Sequence, residues 1–210
     1  IIKLAGEINE KIKSGEKIYN LTIGDFNPAY FPIPDGLKSA IVEAYTNNET
    51  NYPPADGIPA LRQTVASFLQ TNCGLEYAPS EILIAGGARP LIYSLFCALI
   101  DAGDTILFPV PSWNNNHYTH LSSAQQLLVE TKAENNFMPT AAELKPHISK
   151  ANLLALCSPL NPTGTTFSKE GLTEICELIL AENRRRGDNE KPLYLMYDQI
   201  YWTLTFGDTV

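Results

Sequence analysis

The four cysteines of this sequence (Cys73, Cys97, Cys157, Cys176) include no CxxC pair, and no stretch approaches the ~18–20 apolar residues that span a bilayer. Such wide spacing argues against a zinc site and against a disulfide framework. Three of the four fall in apolar surroundings, so they are expected as reduced, buried thiols of a cytoplasmic protein. The opening residues IIKLAGEINEKIK carry charges throughout and lack a secretory core with a small-residue cleavage site. No membrane association is expected, and the Asn48-Glu49-Thr50 sequon has no secretory context to act in. Basic residues are scarce: 15 Lys and Arg face 23 Asp and Glu, a net charge of −8. Such a chain repels phosphate backbones, so nucleic acid is not an expected partner. The one basic cluster, Arg184-Arg185-Arg186, ends a helical pattern before Gly187, where cations suit the negative end of the helix dipole. GxGxxG and Walker A fingerprints are both missing, which leaves dinucleotide and nucleoside triphosphate binding without support. His117 and His120 form an HxxH pair with no third ligand nearby, so no metal is expected. Repeats, low-complexity tracts and long linkers are absent too. The first residue is Ile1 rather than Met, which predicts a trimmed piece of a longer protein.

Hydrophobic residues make up 44% of the 210 and charged residues 18%, enough apolar material for a packed core in one large or two small domains. Ile1, Leu4, Ile8 and Ile12 recur at helical spacing and stop at Ser14-Gly15, which predicts an amphipathic helix over 1–13. IYNLTIGDF (18–26) reads as a strand-like run leading into a loop with Pro28, Pro32, Pro34 and Gly36. A second helix is expected over about 37–46. A third starts near Pro59, a residue suited to a first helical turn.

From residue 80 the rhythm changes. Short apolar runs at 82–85 (ILIA), 105–108 (TILF), 126–129 (QLLV), 153–156 (LLAL) and 193–197 (LYLMY) alternate with helical patterns at 89–100, 141–148 and 169–182. That alternation predicts an α/β fold, a mostly parallel sheet covered by helices on both faces. The first 60 residues read as an attached arm or part of a smaller domain. Tyr93 to Phe96, at helical spacing, is expected in the core, as is Cys176 beside Leu172, Ile175 and Ile179.

Ligands of such sheets bind beyond the carboxyl ends of the strands. After ILIA comes Gly86-Gly87-Ala88-Arg89 and a helix start, where glycines admit an anion to unpaired N–H groups; taken alone the pair reads first as a structural turn. After TILF comes Trp113 in a polar loop, either a flat ring for a planar ligand or a cover for the core rim. After LLALCS comes Asn161 between two prolines, with Gly164 completing a turn and fixing the direction of the amide. After LYLMY comes Asp198, with Tyr201 three residues on. A carboxylate closing a buried strand costs several kcal/mol unless something cationic pairs with it. An anion cradle, a flat aromatic, a rigid amide, and a carboxylate with a phenol together describe a pocket for a planar, phosphate-bearing, protonated heterocycle.

In order, IGDFNP, NYPPADGIPALR, GGARP, PSWNNNH, SPLNPTG and YDQIYW resemble the fold-type I pyridoxal 5′-phosphate enzymes, specifically the class I/II aminotransferases. The resemblance runs nearly the whole chain. It implies a domain division, 1–50 as an N-terminal arm with part of the small domain and 51–210 as an incomplete large cofactor-binding domain. Gly24 is similar to the loop glycine whose backbone touches the substrate carboxylate. Tyr52 resembles the tyrosine that crosses a homodimer interface to the neighbouring cofactor phosphate. Gly87, Ala88 and Arg89 fall on the phosphate turn; the family often has Ser, Thr or Lys there, so Ala88 offers only its backbone N–H. Trp113 matches the ring that stacks on the pyridine, Asn161 and Tyr201 the donors to the cofactor's O3′, and Asp198 the carboxylate paired with the pyridine nitrogen.

The chemistry explains these residue types. Pyridoxal phosphate is an electron sink for the carbanion left when an amino acid loses its Cα proton, and a carboxylate beside the ring nitrogen favours its charged form. The resemblance also requires a downstream lysine as Schiff-base former and general base, which none of the ten lysines here fits. The expected function is therefore transfer of an amino group from an amino acid, aspartate as the first candidate, to a 2-oxo acid, in a cytoplasmic homodimer. The 210 residues alone are expected not to turn over. A lyase or decarboxylase of the same fold, and a non-catalytic dimerising fragment, are the alternatives.

Overall fold

The computed structural model describes residues 2–20, 22 and 24–206. Ile1, Leu21 and Ile23, which the sequence places in the first helix and in the strand-like run, lie outside the described residues. The chain divides into two compact units, Ile1–Ala55 and Asp56–Val210.

The first unit holds α1 (Ile2–Lys13) and α2 (Asp35–Thr46). Gly15, at φ +96°, ends α1 in a conformation a side chain would strain. Pro34 precedes α2, whose first turn carries Asp35 at the positive end of the dipole. The strand expected over 18–26 is not formed among the described residues. A lone extended segment gains nothing from its backbone groups without a neighbouring strand. Further along the loop, Phe26 and Phe31 meet edge to face with ring centroids 4.8 Å apart.

The second unit opens with α3 (Pro59–Cys73), which starts on Pro59 and stops at the left-handed Gly74. Then come α4 (Ala88–Leu99), β1 (Thr105–Val110), α5 (Asn115–Leu121), β2 (Gln125–Glu130), α6 (Ala141–Leu144), β3 (Leu153–Cys157), α7 (Lys169–Arg186) and β4 (Tyr194–Asp198). The sheet is parallel throughout, in the order β2-β1-β3-β4. Alternate residues feed opposite faces. Leu107, Leu154 and Leu156 pack with Leu144, Ile148, Ile175 and Ile179 beneath α6 and α7. Ile106, Phe108, Leu153, Ala155 and Met196 pack with Phe96 and Ile100 of the α4 side. Apolar strands covered on both faces are what the sequence predicts.

Several expectations are corrected. Residues 82–85 (ILIA) are extended but form no strand, because no strand among the described residues lies alongside them; Ile84 N–H donates instead to the Asp56 carbonyl at 3.0 Å. The helix expected over 141–148 closes at Leu144, since Pro146 has no N–H to give and its ring excludes the preceding turn. None of the cysteines is fully buried: Cys73 and Cys97 are exposed, Cys157 and Cys176 half-buried, and all four are free. Phe96 is a core residue, whereas Tyr93 on the same helix is exposed. Arg186 does more than meet a dipole. It is buried, holds Glu182 at 2.8 Å, and donates to the carbonyls of Ile148, Ala151 and Lys191, tying α7 to the entrances of β3 and β4. Among the described residues no helix is long and apolar enough to cross a membrane, and no cluster of metal-ligating side chains is found.

Candidate active site

The strand order fixes where a site can form. The chain passes from β1 outward to β2, then returns to the other side of β1 for β3 and β4. Between β1 and β3 the connections diverge, and a crevice opens beyond their carboxyl ends. The β1–β3 ladder pairs only Ile106 with Leu153 and Leu107 with Leu154. Pro109 two residues on has no N–H to extend it, so the loops after these strands separate at the crevice.

The loop after β3 runs through Ser158-Pro159-Leu160-Asn161-Pro162-Thr163-Gly164, with cis peptide bonds before all three of Pro111, Pro159 and Pro162 across the β1 and β3 loops. Its closure is a backbone exchange, Leu160 N–H to Thr165 O at 2.8 Å and Gly164 N–H to Leu160 O at 2.7 Å. Gly164 sits at φ +72°, the conformation such a turn demands. Asn161 is thereby held half-buried, and its Nδ2 donates to the Tyr201 hydroxyl at 3.2 Å. That bond leaves the phenol O–H and the second amide N–H of Asn161 free to donate outward.

Asp198 is the last residue of β4 and the register partner of Cys157 at the end of β3, with Ser158 N–H donating to its carbonyl at 3.0 Å. Its side chain accepts from Ile200 N–H at 3.1 Å and has no cationic partner among the described residues. It is half-buried rather than fully sunk, because β4 is an edge strand and the carboxylate stands at its open end. Cys157, between Asp198 and the backbone N–H of Asn161, joins the two. Burial pushes its thiol above the ordinary range and the Asp198 charge pushes the same way, against the Asn161 hydrogen bond. The thiol donates to Pro159 O at 3.2 Å. Beneath, burial likewise raises Tyr197.

Asn161 and Asp198 therefore flank Cys157, and Tyr201 joins them through its bond to Asn161. Trp113 lies in the loop after β1 on the same edge, 44% exposed and with no ring partner among the described residues. Helix α4 leads into β1 through a short turn at its far end, so its N-terminus faces the carboxyl edge too. Gly87 caps it at φ +111° with no side-chain cap, leaving the first N–H groups of Ala88 and Arg89 without partners among the described residues. Space for a Cβ is open at Gly86 and Gly87, and the Arg89 side chain is exposed. Gly24 and Tyr52 belong to the first unit, where Tyr52 is fully exposed. Sequence reasoning missed two features here: the thiol of Cys157 beside Asp198, and an ion pair between Asp56 and Arg62. Neither falls at a spacing with a known signature.

Residues 16–210 match the family described as aminotransferase class I and II. The chain belongs to that family. A probable aspartate/prephenate aminotransferase of Rickettsia typhi is 32% identical over 198 residues, 93% of this chain and 47% of the relative. Aspartate aminotransferase of Geobacillus stearothermophilus is 30% identical over 208 residues, 95% of this chain and 49% of its own length. The solved structure of Thermus thermophilus aspartate aminotransferase with maleate matches at a TM-score of 0.85 and 27% identity, over 98% of this chain and 51% of that one. The chain spans about half the length of the curated relatives it matches.

Class I and II aminotransferases depend on pyridoxal phosphate, and the residues present fit that group. The uncapped start of α4 with open space at Gly86 and Gly87 suits a phosphate monoester. A half-buried carboxylate without a cation suits a protonated ring nitrogen. Two free donors on Asn161 and Tyr201 suit an anionic ring oxygen.

Proposed function

We propose that the whole protein is a pyridoxal phosphate-dependent transaminase, moving the amino group of a dicarboxylic amino acid, aspartate foremost, to a 2-oxo acid. The observation that carries the reading is the Asn161–Tyr201 hydrogen bond set beside Asp198 at the carboxyl edge of a parallel sheet. Of the two relatives above, one is named for aspartate and the other as a probable aspartate/prephenate aminotransferase, which supports a dicarboxylic amino donor.

Bound there, the cofactor supplies an electron sink for a carbanion at the amino acid's Cα. The chain's own residues do the rest of the work at this edge. Asp198 Oδ holds a proton on the ring nitrogen by lying next to the positive charge. Asn161 Nδ2 and Tyr201 Oη donate to the ring oxygen, and their mutual bond fixes both directions before anything binds. The backbone N–H groups of Ala88 and Arg89, with the Arg89 guanidinium, take the phosphate. Trp113, half-free in its loop, covers one face of the ring and excludes water from it. The base for the Cα proton is not among these ten lysines in our reading; Lys191, for one, is bound to Asp101 and Asp104 at the opposite edge of the sheet.

A homodimer is proposed as well, with the exposed Tyr52 phenol reaching the partner's phosphate. Four free cysteines are in keeping with a cytoplasmic location. The test is an absorbance titration of the full protein with pyridoxal phosphate, followed by a scan of amino donors. A visible band that forms with the cofactor and is discharged by aspartate more readily than by neutral amino acids is the expected result. No band, or no response to any amino donor, would refute the reading.

A further inference from the structure

Residues 82–85, which lead to the phosphate turn, form no ladder with any strand among the described residues, and Gly86-Gly87 follow at once. The anchoring comes from a clamp built of three distant pieces of chain. The Arg62 guanidinium, in the first turn of α3 and with its side chain 13% exposed, forms an ion pair with the Asp56 carboxylate. Its Nε donates to the Pro79 carbonyl at 2.7 Å. The Asp56 carbonyl in turn accepts from Ile84 N–H at 3.0 Å. Gly57 completes the fit. At φ +107°, it lies so close over Ile84 that a Cβ would stand 2.6 Å from Ile84 Cβ.

The entry to the phosphate turn is thus pinned at Pro79 through Arg62 and at Ile84 through Asp56 and Gly57, three residues ahead of Gly87. We propose that Asp56 and Arg62 are positioning residues for the cofactor phosphate, acting through Ile84 on the Gly86–Arg89 turn. The inference rests on the cofactor reading above. Neither side chain touches the phosphate; their task is to hold the N–H groups of Ala88 and Arg89 where an anion meets them. A bidentate fork is needed, since one group must serve both a carboxylate and a carbonyl, which a lysine ammonium does less well.

The experiment compares binding of pyridoxal 5′-phosphate and of pyridoxal, which lacks the phosphate, to the full protein and to R62M, D56N, R62K and R89A. Unfolding midpoints are measured alongside. R89A, which removes a direct phosphate contact, sets the scale. R62M and D56N should weaken pyridoxal 5′-phosphate on the order of tenfold, the loss that follows when supporting contacts around a site are removed, while pyridoxal binding stays within about twofold. R62K should recover part of the preference. D56N keeps the backbone carbonyl on Ile84, so it reports even where R62M does not fold. Unchanged discrimination between the two ligands in both variants would overturn the proposal, and so would equal weakening of both ligands, which marks a merely structural role. A parent protein with no preference for the phosphorylated ligand would overturn the cofactor reading itself, an outcome visible before any variant is made.

Discussion

Replacing Arg186 with methionine removes a buried guanidinium while keeping most of the side chain's length. Arg186 is 4% exposed and holds Glu182, itself 7% exposed, at 2.8 Å. It also donates to the carbonyls of Ile148, Ala151 and Lys191 at 3.1, 2.8 and 2.8 Å. With the carbonyl of Ser149, which accepts at 3.3 Å, R186M therefore leaves four carbonyls without this donor and a buried carboxylate with Arg185 alone. Breaking one side of such a buried pair costs about 3–5 kcal/mol. Urea unfolding at pH 7, followed by circular dichroism, is the assay. The pH dependence separates the two arginines. Glu182 is held down to about 2, first by its hydrogen bonds to Arg185, then by Arg186, with burial opposing both. A carboxylate lowered in the folded state contributes stability that is full above its ordinary value near 4.5 and is lost as pH falls toward about 2. R185M should therefore flatten the acid limb between those values more than R186M does, while R186M costs more at neutral pH. E182L with R186M, which removes both charges, should recover much of the R186M loss. An R186M protein within about 1 kcal/mol of its parent at pH 7 would refute the reasoning, because a guanidinium so enclosed would then be holding nothing.

Three further outcomes are expected. G57A, forced to φ +107° with its Cβ against Ile84, should lose about 2–5 kcal/mol by thermal unfolding, and I84A, which keeps the Cβ in conflict, should not rescue it. T140A removes the hydroxyl that accepts from Glu143 N–H at 3.2 Å in a capping box and should cost about 1 kcal/mol in urea. N161A and Y201F should each shift the absorbance of the bound cofactor, and the double variant should shift it by less than the sum, since the two donors orient each other.

The strands and long helices were legible because each has a strong local cause. TILF, QLLV, LLAL and LYLMY are apolar on both faces, and α3, α4 and α7 begin or end on Pro59, Gly74, Gly87, Ser168 and Gly187. The failures share a different cause. ILIA has the composition of a buried strand, but composition does not supply a neighbour; no strand among the described residues lies alongside it, and its Ile84 N–H donates to the Asp56 carbonyl. Cys97 and Tyr93 sit on an apolar-looking helix whose solvent-facing side is decided by where the sheet lies, which no window of sequence contains. Arg186 looked like one of three equivalent basic residues; only the fold shows that its helix position points it at the entrances of β3 and β4. Of the site, the residue types and their strand-end positions were readable, while the Cys157 bridge between Asp198 and Asn161 was not, since it depends on the β3–β4 register.

That register also explains why the proposed chemistry belongs at this edge. Pairing Cys157 with Asp198 sets the carboxylate and the start of the Asn161 loop side by side at the ends of neighbouring parallel strands. A shift of one residue would turn Asp198 to the α7 face, onto the cluster built by Leu156, Ile175 and Ile179. There a carboxylate would be buried at a cost of several kcal/mol with no donor to receive it. At its actual place it keeps one N–H from Ile200 and stands half-open beside Cys157, whose thiol it makes harder to ionise. A second anion is thus disfavoured where Asp198 already stands, whereas a cation arriving from the crevice offsets a charge that no side chain of the described residues neutralises. Neutralising Asp198 as D198N should accordingly stabilise the unliganded protein or leave it unchanged, and should weaken binding of pyridoxal phosphate with its ring nitrogen protonated. A D198N protein that unfolds more easily yet binds the cofactor as tightly as its parent would mean that the carboxylate serves the sheet and not the site.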